Sequence, residues 1–548
     1  MTEGTPVTPQ APDGFRGVFR ADPLACAVYS EAAGVARILP RAVAVPVDEE
    51  DLVTLVHWAA RTGHPLIPRG SGSSMAGGAI GDGVIVDLAR FDQVGTVDAH
   101  RRTLTVGAAV VRDRLEAVAN AVGLTFPVDP SSGAFATIGG MCATHAAGSR
   151  TVRYGPLRDW IAGVHCVFAD GTQAWIRRGN PTPALPILAR TASSLLPQVR
   201  ATDARALRHE GVRKESSGYA LAPFHTSGDP IDLLLGSEGT LAFITAVEVR
   251  LTPRPGATAV LLAGFDTLDL AAQTAVRLAD EGASAVELLD RSFLEIAVSE
   301  GASLPVAPTL EAVLLIEIEG TDAASAQRHA ERLAEWCRTV GAAEVVLPAD
   351  AAAREALWAL RHAASPILAR LAPRWQSLQL IEDGCVPPAH FAPYVRGVRE
   401  ALARAGCRGV IFGHAGDAHA HVNLLADLTD PEWRARCDQV LTEVTALIAR
   451  LGGTVAGEHG DGRLRTPLLP QLWPAETLAL FAAVKGTFDP DGILNPGVKV
   501  GAPGARPLEM MKVDPTLAPL PSAAREALDA ITRERDWARH RLDLIPGA

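Results

Sequence analysis

Residues 68–78 read Pro-Arg-Gly-Ser-Gly-Ser-Ser-Met-Ala-Gly-Gly, and this stretch decides the fold of the first half of the chain. Apart from Arg69 and Met75, it contains almost no side chain larger than that of serine. Such a run exposes successive backbone N–H groups, which form an anion-binding nest that suits a pyrophosphate. The segment fits neither common phosphate-loop motif, because Met75 stands where G-x-G-x-x-G needs glycine and no G-K-[ST] follows. On composition alone, a dinucleotide loop and a flexible connection are about equally favoured.

Two further glycine-rich regions change that balance. The first runs from Asp129-Pro-Ser-Ser through Ala136-Thr-Ile-Gly-Gly-Met-Cys-Ala-Thr-His-Ala-Ala-Gly-Ser149 to Arg153-Tyr-Gly155, and the second is Leu235-Gly-Ser-Glu-Gly-Thr-Leu-Ala-Phe-Ile-Thr245. Together with 68–78, they resemble the PCMH-type FAD-binding domain of the vanillyl-alcohol-oxidase flavoproteins. The resemblance is to the branch of D-lactate, D-2-hydroxyglutarate and glycolate dehydrogenases, and it covers residues from about 40 to 500.

The resemblance implies FAD as cofactor and assigns its contacts. The pyrophosphate would lie on Arg69, Gly70, Ser71, Gly72, Ser73, Ser74, Gly77 and Gly78. The flavin and ribityl chain would contact Ser131, Thr137, Gly139, Gly140, Ala143, Gly148 and Tyr154. The adenine half would lie near Glu238, Gly239 and Ile244. His145 departs from the family pattern, which usually has a small or amide residue there. Since no histidine or cysteine lies between Pro68 and Gly83, we expect FAD to be bound non-covalently.

Hydrophobic periodicity predicts an α+β chain of two main domains. In the first, strands are expected at 65–68, 84–88, 103–108, 163–172 and 240–253, and helices at 49–62 and 111–122. In the second, strands at 258–265, 285–290 and 312–320 alternate with helices in the split βαβ order, which is ferredoxin-like: an antiparallel sheet with helices on one face. The predicted boundaries are a leader at 1–40, the FAD-binding domain of two α+β subdomains at 41–255, a substrate (cap) domain with a metal site at 256–475, a C-terminal return to the FAD domain at 476–500, and a surface tail at 501–548.

Composition and charge exclude several other classes of protein. Of 548 residues, 48% are apolar and 21% are charged, which excludes a disordered chain or a disulfide scaffold. The net charge is −11 and only four residues are lysine, so nucleic acid is not an expected partner. Seven scattered cysteines without a C-x-x-C pair indicate reduced thiols and a cytoplasmic protein. No apolar stretch is long enough for a transmembrane segment, although peripheral membrane attachment stays open.

A histidine-rich hairpin is predicted at Gly409-Val-Ile-Phe-Gly-His-Ala-Gly-Asp-Ala-His-Ala-His-Val-Asn-Leu-Leu425. With Asp417-Ala418 as a two-residue turn, His414 would lie opposite His421. Alternation along the second strand then places His419, His421 and Asn423 on one face. Two facing histidines and a carboxylate form a site for a divalent cation, and Glu458 in Gly457-Glu-His-Gly-Asp-Gly-Arg463 is the candidate carboxylate. The alternative is a structural pair of hairpin histidines, which the adjacent Glu458-His459 makes less favourable.

These residues resemble the metal-and-base signature of the same family. The resemblance assigns His414, His421 and Glu458 as ligands of a divalent metal, with Zn²⁺ expected and Mn²⁺ or Fe²⁺ as alternatives, His459 as the base and Asn423 as a substrate contact. His419 departs from the family pattern. It is an additional ligand, a substrate contact or an exposed turn residue, and we favour the last two.

Two further residues follow from the resemblance. Arg361, on a predicted helix from Arg354 to Ser365, occupies the family's W-x-x-R position and would bind the substrate carboxylate. Without the resemblance, a solvated helix arginine would be the better interpretation. Asn495 in the return segment would approach the flavin ring. A lysine that some relatives use downstream is absent, and Gln379-Leu-Ile-Glu-Asp383 occupies that region.

The leading hypothesis is an FAD-dependent dehydrogenase that converts a D-2-hydroxy acid of the D-lactate or D-2-hydroxyglutarate type to the 2-oxo acid. The alternatives are an FAD-dependent oxidase of alcohols or sugar acids, and a non-catalytic flavin-binding subunit of a larger dehydrogenase. The expected partners are the small substrate, an electron acceptor such as a quinone, a cytochrome or an electron-transfer flavoprotein, and a second copy in a homodimer.

Overall fold

The glycine-rich segment leaves the carboxyl end of a strand in the first sheet. In the computed structural model, which describes residues 8–301, 304–362 and 375–546, this sheet has the strand order Val18–Arg20, Ala42–Val45, Val84–Asp87, Leu66–Arg69. The last three strands are parallel. Because Val18–Arg20 pairs with Ala42–Val45, the chain joins the first domain before residue 41, within the predicted leader.

The predicted helix at 49–62 is confirmed by the helix Glu49–Thr62. Asp48 caps it by accepting a hydrogen bond from the N–H of Asp51, and Gly63 ends it in the left-handed conformation. Its apolar face packs against the first sheet. The other helices of the first domain are Pro23–Val28, Arg112–Asn120, Ile138–Thr144, Thr151–Tyr154, Pro186–Arg190, Leu196–Ala201, Leu221–Ser227 and Ile231–Leu234.

A second, antiparallel sheet has the order Thr103–Gly107, Ala242–Arg250, Ile161–Phe168, Gln173–Arg177. The prediction of a single strand over 163–172 is wrong, because the chain reverses at Asp170-Gly171, where Gly171 has a φ of 77°. The predicted strand at 240–253 is also divided. Its last two residues, Thr252–Pro253, pair instead with Leu124–Thr125.

The second domain is built on an antiparallel sheet. Its strand order is Glu344–Val346, Ala257–Phe265, Ala312–Gly320, Ala285–Asp290, Arg408–Gly413, His419–Asp427, Trp375–Leu378, with Gly384–Cys385 also pairing with His419–Asp427. The helices are Leu268–Asp280, Arg291–Ser299, Ala323–Thr339, Ala351–His362, Phe391–Arg404 and Trp433–Arg450.

Helices cover both faces of this sheet, so the prediction of helices on one face is wrong. Neighbouring residues such as Leu261 and Leu262 belong to separate buried clusters. The face that carries Leu262 is covered by Arg291–Ser299 and by Leu357 of Ala351–His362. A strand that is buried on both faces is apolar at successive positions. Because no polar face alternates with an apolar one, the sequence alone does not show whether helices cover one face or both.

The chain returns to the first domain through the helices Gly462–Arg465 and Ala475–Phe488, and it ends with Ser522–Glu534. The residues after 501 do more than lie on the surface. Ala524, Ala527 and Leu542 are buried against the first sheet. All seven cysteines are unpaired. Within the described residues, no helix is both long and apolar enough to cross a membrane.

Candidate active site

A cavity of about 680 Å³ lies between the loops of the first domain and the sheet of the second. This volume is in the range of ligand and cofactor sites. Most of the predicted FAD contacts line it, namely Arg69, Gly70, Ser71, Gly72, Ser73, Ser74, Gly78, Ser131, Thr137, Gly139, Gly140, Ala143, Glu238, Gly239 and Ile244. Its other end is lined by Arg361, Gln379, Glu382, Phe412, His421, Asn423, Glu458 and His459. The cavity therefore joins the predicted cofactor loops to the predicted catalytic residues.

Four predicted FAD contacts do not line this cavity. The amide of Asn495 donates to the carbonyls of Gly78 and Glu238, so it ties two cavity loops together from behind. The hydroxyl of Tyr154 donates to Glu319 of the second domain, at 2.6 Å. The carbonyl of Gly148 accepts a hydrogen bond from Lys214, and Gly77 packs beside Arg463.

Close packing explains the glycines of the loop at 68–78. A Cβ atom on Gly70 would lie 2.4 Å from the hydroxyl of Thr137. Gly72, with a φ of 76°, lies over the guanidinium of Arg69 at a distance that leaves no room for a side chain. Arg69 donates to the backbone carbonyls of Tyr29, Glu31 and Ala79, and these bonds hold its side chain beneath the loop.

The histidine hairpin forms, but with a longer turn than predicted. His421 lies opposite Phe412 and not opposite His414. Residues 415–417 form a short 3-10 helix, and Ala418 adopts the left-handed conformation with a φ of 56°. The carbonyl of His414 accepts from the N–H groups of Asp417 and His419, so His414 closes the loop instead of pairing in the ladder.

Three imidazoles nevertheless converge as predicted, and Glu458 meets two of them. The Glu458 Oε1 atom lies 3.1 Å from His414 Nε2 and 3.5 Å from His421 Nε2. His414 Nδ1 donates to Glu287, at 2.7 Å, and His421 Nδ1 donates to the carbonyl of Glu382, also at 2.7 Å. Each Nδ1 carries the proton in this arrangement, so both Nε2 lone pairs face a carboxylate oxygen. Acceptors that face one another require a cation or a proton between them.

The pKa values of Glu458 and His421 also indicate that this centre favours a positive charge. Burial opposes ionisation of Glu458, but Lys214 and His414 hold its pKa well below the usual range. Burial would lower the pKa of His421, yet its hydrogen bonds to Glu382 and Glu458 raise it to about 10. The donor set of two imidazoles and a carboxylate suits a divalent cation such as Zn²⁺.

His459 is the most accessible histidine of the group, with 29% of its side chain exposed. Its Nδ1 donates to the carboxylate of Glu382, at 2.7 Å, and its Nε2 lies 3.7 Å from Glu458. Its ring stacks on that of His421, with the ring centres 5.4 Å apart. Burial lowers its pKa, but Glu382 and Asp383 outweigh burial and raise it. Glu382 thus fixes the tautomer in which Nε2 of the neutral ring is the proton acceptor.

Glu287 connects His414, one of the candidate metal ligands, to Arg361. This fully buried glutamate accepts from His414 through Oε1 and from the Nε–H of Arg361 through Oε2, at 2.6 Å. Burial opposes ionisation, yet His414 and Arg361 hold the pKa of Glu287 well below its usual range. Arg361 is itself buried, lines the cavity and packs over the ring of Phe412. The end of its predicted helix, from 363 to 365, lies outside the described residues.

Sequence reasoning missed several residues that organise the site. Lys214 reaches Glu458 at 3.1 Å from the first domain, and Arg465 pairs with both Glu382 and Asp383. The carboxylate of Asp383 also accepts from the backbone N–H groups of Glu458 and His459. The scarcity of lysine in the chain was the one signal that could have drawn attention to Lys214.

The prediction that His419 is an exposed turn residue is wrong. His419 is fully buried, and its Nε2 donates to Asp383, at 2.9 Å. The candidate ligand atoms of His414, His419, His421 and Glu458 all lie within 4.8 Å of one another, as do those of Glu382, Asp383, His421 and His459. The two overlapping groups share His421. His145 lies apart from both, ends the helix Ile138–Thr144 at a φ of 54°, and bonds to the carbonyl of Glu215.

Comparisons with known proteins agree with the division of the chain into two domains. Residues 40–177 match a family model described as an FAD binding domain, and residues 254–498 match the C-terminal domain of FAD linked oxidases. The glycolate oxidase subunit GlcD of Bacillus subtilis is 30% identical over 473 residues, which cover 85% of this chain and 90% of that protein. The D-lactate dehydrogenase of Archaeoglobus fulgidus is 30% identical over 468 residues, covering 84% and 92%.

A solved structure confirms the fold. The 4-ethylphenol oxidase from Gulosibacter chungangensis, in complex with isoeugenol, superposes with a TM-score of 0.65 over 89% of this chain and 94% of that one, at 16% identity. At this identity the likeness shows the fold alone, which is the predicted α+β arrangement of an FAD-binding domain and a second sheet domain.

Proposed function

Because the chain belongs to the FAD-linked oxidase family, we propose that it oxidises a small D-2-hydroxy acid, of the D-lactate or D-2-hydroxyglutarate type, to the 2-oxo acid. The names of the relatives, glycolate oxidase subunit and D-lactate dehydrogenase, support a 2-hydroxy acid. The observation that carries the proposal is the joint placement of Arg361, Asn423 and His459 at one end of the cavity that the FAD loops line. This arrangement provides a cation for a carboxylate and a base for a hydroxyl group.

Arg361 binds the substrate carboxylate, and Asn423 offers its amide to an oxygen of the substrate. Glu287 holds the Nε–H of Arg361 and so fixes the direction of the guanidinium. His459 takes the hydroxyl proton at Nε2, while Glu382 holds Nδ1 and stabilises the imidazolium that forms. The substrate then loses a proton from oxygen and a hydride from C2, which together convert the alcohol to a ketone.

The two groups that complete the site would be held by separate parts of the chain. FAD, when bound non-covalently by the loops at 69–78, 131–143 and 238–244, supplies the two-electron acceptor for the hydride. A divalent cation held by His414, His421 and Glu458 would supply Lewis acidity toward the substrate hydroxyl. The convergence of His414 Nε2 and His421 Nε2 on Glu458 Oε1 supports such a cation, which would take the place of the proton between them.

Anaerobic flavin bleaching with a panel of D- and L-2-hydroxy acids tests this function. We expect one D-2-hydroxy acid to reduce the bound flavin, with slow reoxidation when air is admitted. Treatment of the same protein with a chelator should remove most of the reduction rate and leave FAD bound, because the metal and FAD sites use different segments. Rapid reoxidation by air, with no effect of the chelator, would instead identify an oxidase. Failure of every substrate to bleach the flavin would favour a non-catalytic subunit.

A further inference from the structure

The C-terminal helix and the residues that follow it form one wall of the FAD cavity. Five of these residues line the cavity, namely Asp529, Thr532, Arg533, Arg535 and Trp537. The two matched family models end at residues 177 and 498, so this wall lies outside both of them. None of its residues is among the cofactor contacts that the family resemblance assigns.

The wall is anchored and not merely laid against the surface. Leu542 and Ile545 are buried in the cluster that includes Tyr29 and Ile67 of the first domain. Ile531 and Trp537 form a separate buried cluster with Phe135, beside the loop that carries Ser131. Arg525 on the helix pairs with the buried Glu31 at 2.9 Å. These contacts fix the C-terminal segment at both sides of the cavity loops.

Arg541 connects this segment to the glycine-rich loop. Its Nη2 donates to the carbonyl of Ser71, at 3.3 Å, and its guanidinium lies over the ring of Trp537. The residue is only 2% exposed. Among the described residues, none accepts a hydrogen bond from its Nε or Nη1 atoms. A buried guanidinium with unused donors is costly unless an anion is near.

The charge balance beneath the loop indicates what that anion is. Arg69 and Arg541 are both buried there, and the carboxylate that acts on both is Asp87, which also accepts from the hydroxyl of Tyr29. Burial, and after it repulsion from Arg69, lowers the pKa of Arg541 to about 9. Asp536, the other carboxylate that acts on Arg541, is exposed to solvent, so the buried Asp87 alone does not balance two buried guanidinium groups. Two phosphate groups in the adjoining nest of N–H groups would supply the missing negative charge.

We propose that residues 522–546 are part of the FAD-binding site, and that Arg541 is a positioning residue that holds Ser71 of the glycine-rich loop and adds buried positive charge for the phosphates of FAD. This inference rests on the assignment of that loop to the FAD phosphates and is independent of the substrate. Trp537 and Phe135 close the cavity beside the loop, and Arg541 holds Trp537 from the other side through its cation–π contact.

The rate at which the holoenzyme releases FAD tests the proposal, because free FAD is more fluorescent than bound FAD. Arg541→Met removes the charge and keeps the aliphatic part of the side chain, and we expect it to release FAD about 10- to 100-fold faster. Arg541→Lys keeps the charge and should remain closer to the unmodified rate. The matched control is Arg539→Met, which removes the same charge at an exposed position of the same segment.

Two results would overturn the proposal. Arg541→Met could release FAD at the unmodified rate, or the Met and Lys variants could release it equally fast, in which case the charge has no part. Gly70→Val, whose side chain would collide with Thr137, tests the loop assignment itself. If Gly70→Val loses FAD and Arg541→Met does not, the C-terminal inference fails while the loop assignment stands. If Gly70→Val holds FAD normally, the loop assignment fails, and the inference fails with it.

A measurement on the unmodified protein covers the case in which Arg541→Met does not fold. Hydrogen exchange of the backbone amides at 535–546 should slow when FAD is bound, because the phosphates and Arg541 stabilise this segment together. Equal exchange with and without FAD would contradict the proposal.

Discussion

At the scale of single residues, the site is organised by which nitrogen of each histidine carries its proton. His414, His421 and His459 each direct Nδ1 to an oxygen and present Nε2 toward Glu458. His459 differs from the other two because it is farthest from Glu458 and most exposed to the cavity. In the proposed function this difference distinguishes His459 as the base from His414 and His421 as ligands, although His459 also belongs to the second group of possible ligands with Glu382 and Asp383.

Replacement of His459 by alanine distinguishes these roles. We expect His459→Ala to retain both metal and FAD. Its rate of flavin reduction should be roughly 100- to 10,000-fold lower, because the substrate hydroxyl has lost the group that accepts its proton. Elemental analysis and stopped-flow reduction of the same sample measure the two effects. His100→Ala, an exposed histidine far from the cavity loops in sequence, is the control. Loss of the metal in His459→Ala would assign His459 to the ligands and refute its role as the base.

At the scale of secondary-structure elements, the strand Ala285–Asp290 carries two buried carboxylic acids with different roles: one holds residues of the candidate site, and the other caps a helix. Glu287 at its middle holds His414 and Arg361. Asp290 at its end caps the helix Arg291–Ser299 by accepting from the N–H of Phe293, at 3.0 Å. Asp290 is 1% exposed, and burial raises its pKa from 3.8 to about 6. The same strand therefore carries one glutamate held ionised and one aspartate that resists ionisation.

The raised pKa of Asp290 predicts a change in stability with pH. The folded protein binds this proton more tightly than the unfolded chain, so the contribution is fully present below pH 3.8, falls as pH rises through about 6, and is lost above it. Asp290→Asn keeps the cap and cannot ionise. We expect the stability of Asp290→Asn relative to the unmodified protein to rise between pH 4 and 7, by on the order of 2 kcal/mol.

Denaturant unfolding at several pH values measures that difference. The matched control is Asp350→Asn, which removes the carboxylate of an exposed helix cap that accepts from the N–H of Ala353. A stability difference for Asp290→Asn that stays constant from pH 4 to 7 would refute the prediction.

At the scale of the whole molecule, contacts between the two domains assemble the catalytic end of the cavity. Lys214 of the first domain is fully buried and bonds to Glu458, to the carbonyl of Gly148 and, at 3.4 Å, to Asp417. Arg150 pairs with Glu317 across the same boundary at 2.7 Å. Burial lowers the pKa of Lys214, but Glu458 and Asp417 outweigh it and raise the pKa, so the ammonium stays charged. The candidate metal ligand Glu458 therefore takes part directly in the contact between the two domains.

Removal of the Lys214 charge tests whether metal binding depends on this contact. We expect Lys214→Met to lower metal affinity by about 10- to 100-fold, because Glu458 loses the partner that orients its carboxylate. Competition with a chelator, followed by elemental analysis, measures the affinity. Arg213→Met is the matched control, since this neighbouring residue bonds to Gly416 and Asp280 of the second domain without touching Glu458. Unchanged metal affinity in Lys214→Met would show that the two domains assemble independently of the site.

The amino-acid sequence alone specified those features of the protein that depend only on residues close together in the chain. The helix Glu49–Thr62 follows from its Asp48 cap, its apolar face and Gly63. The glycine-rich loop follows from its composition. Glu458 and His459 are adjacent in the sequence, and they indicated a functional site because packing gives no reason for an acid next to a base in a glycine-rich loop. These features are encoded within a few residues of the chain, so periodicity, capping and turn chemistry suffice to find them.

Tertiary structure alone decided the partners that come from distant parts of the chain. The hairpin register shifted by two positions because Ala418 takes a left-handed conformation and His414 closes a longer loop. The burial of His419 is compensated by Asp383, 36 residues away, which accepts a hydrogen bond from its Nε2. Glu287 lies on a strand and Lys214 and Arg541 lie in two different loops, and no local pattern marks them. Their positions depend on how the sheets and the C-terminal segment pack, and that packing is fixed by contacts between residues remote in sequence.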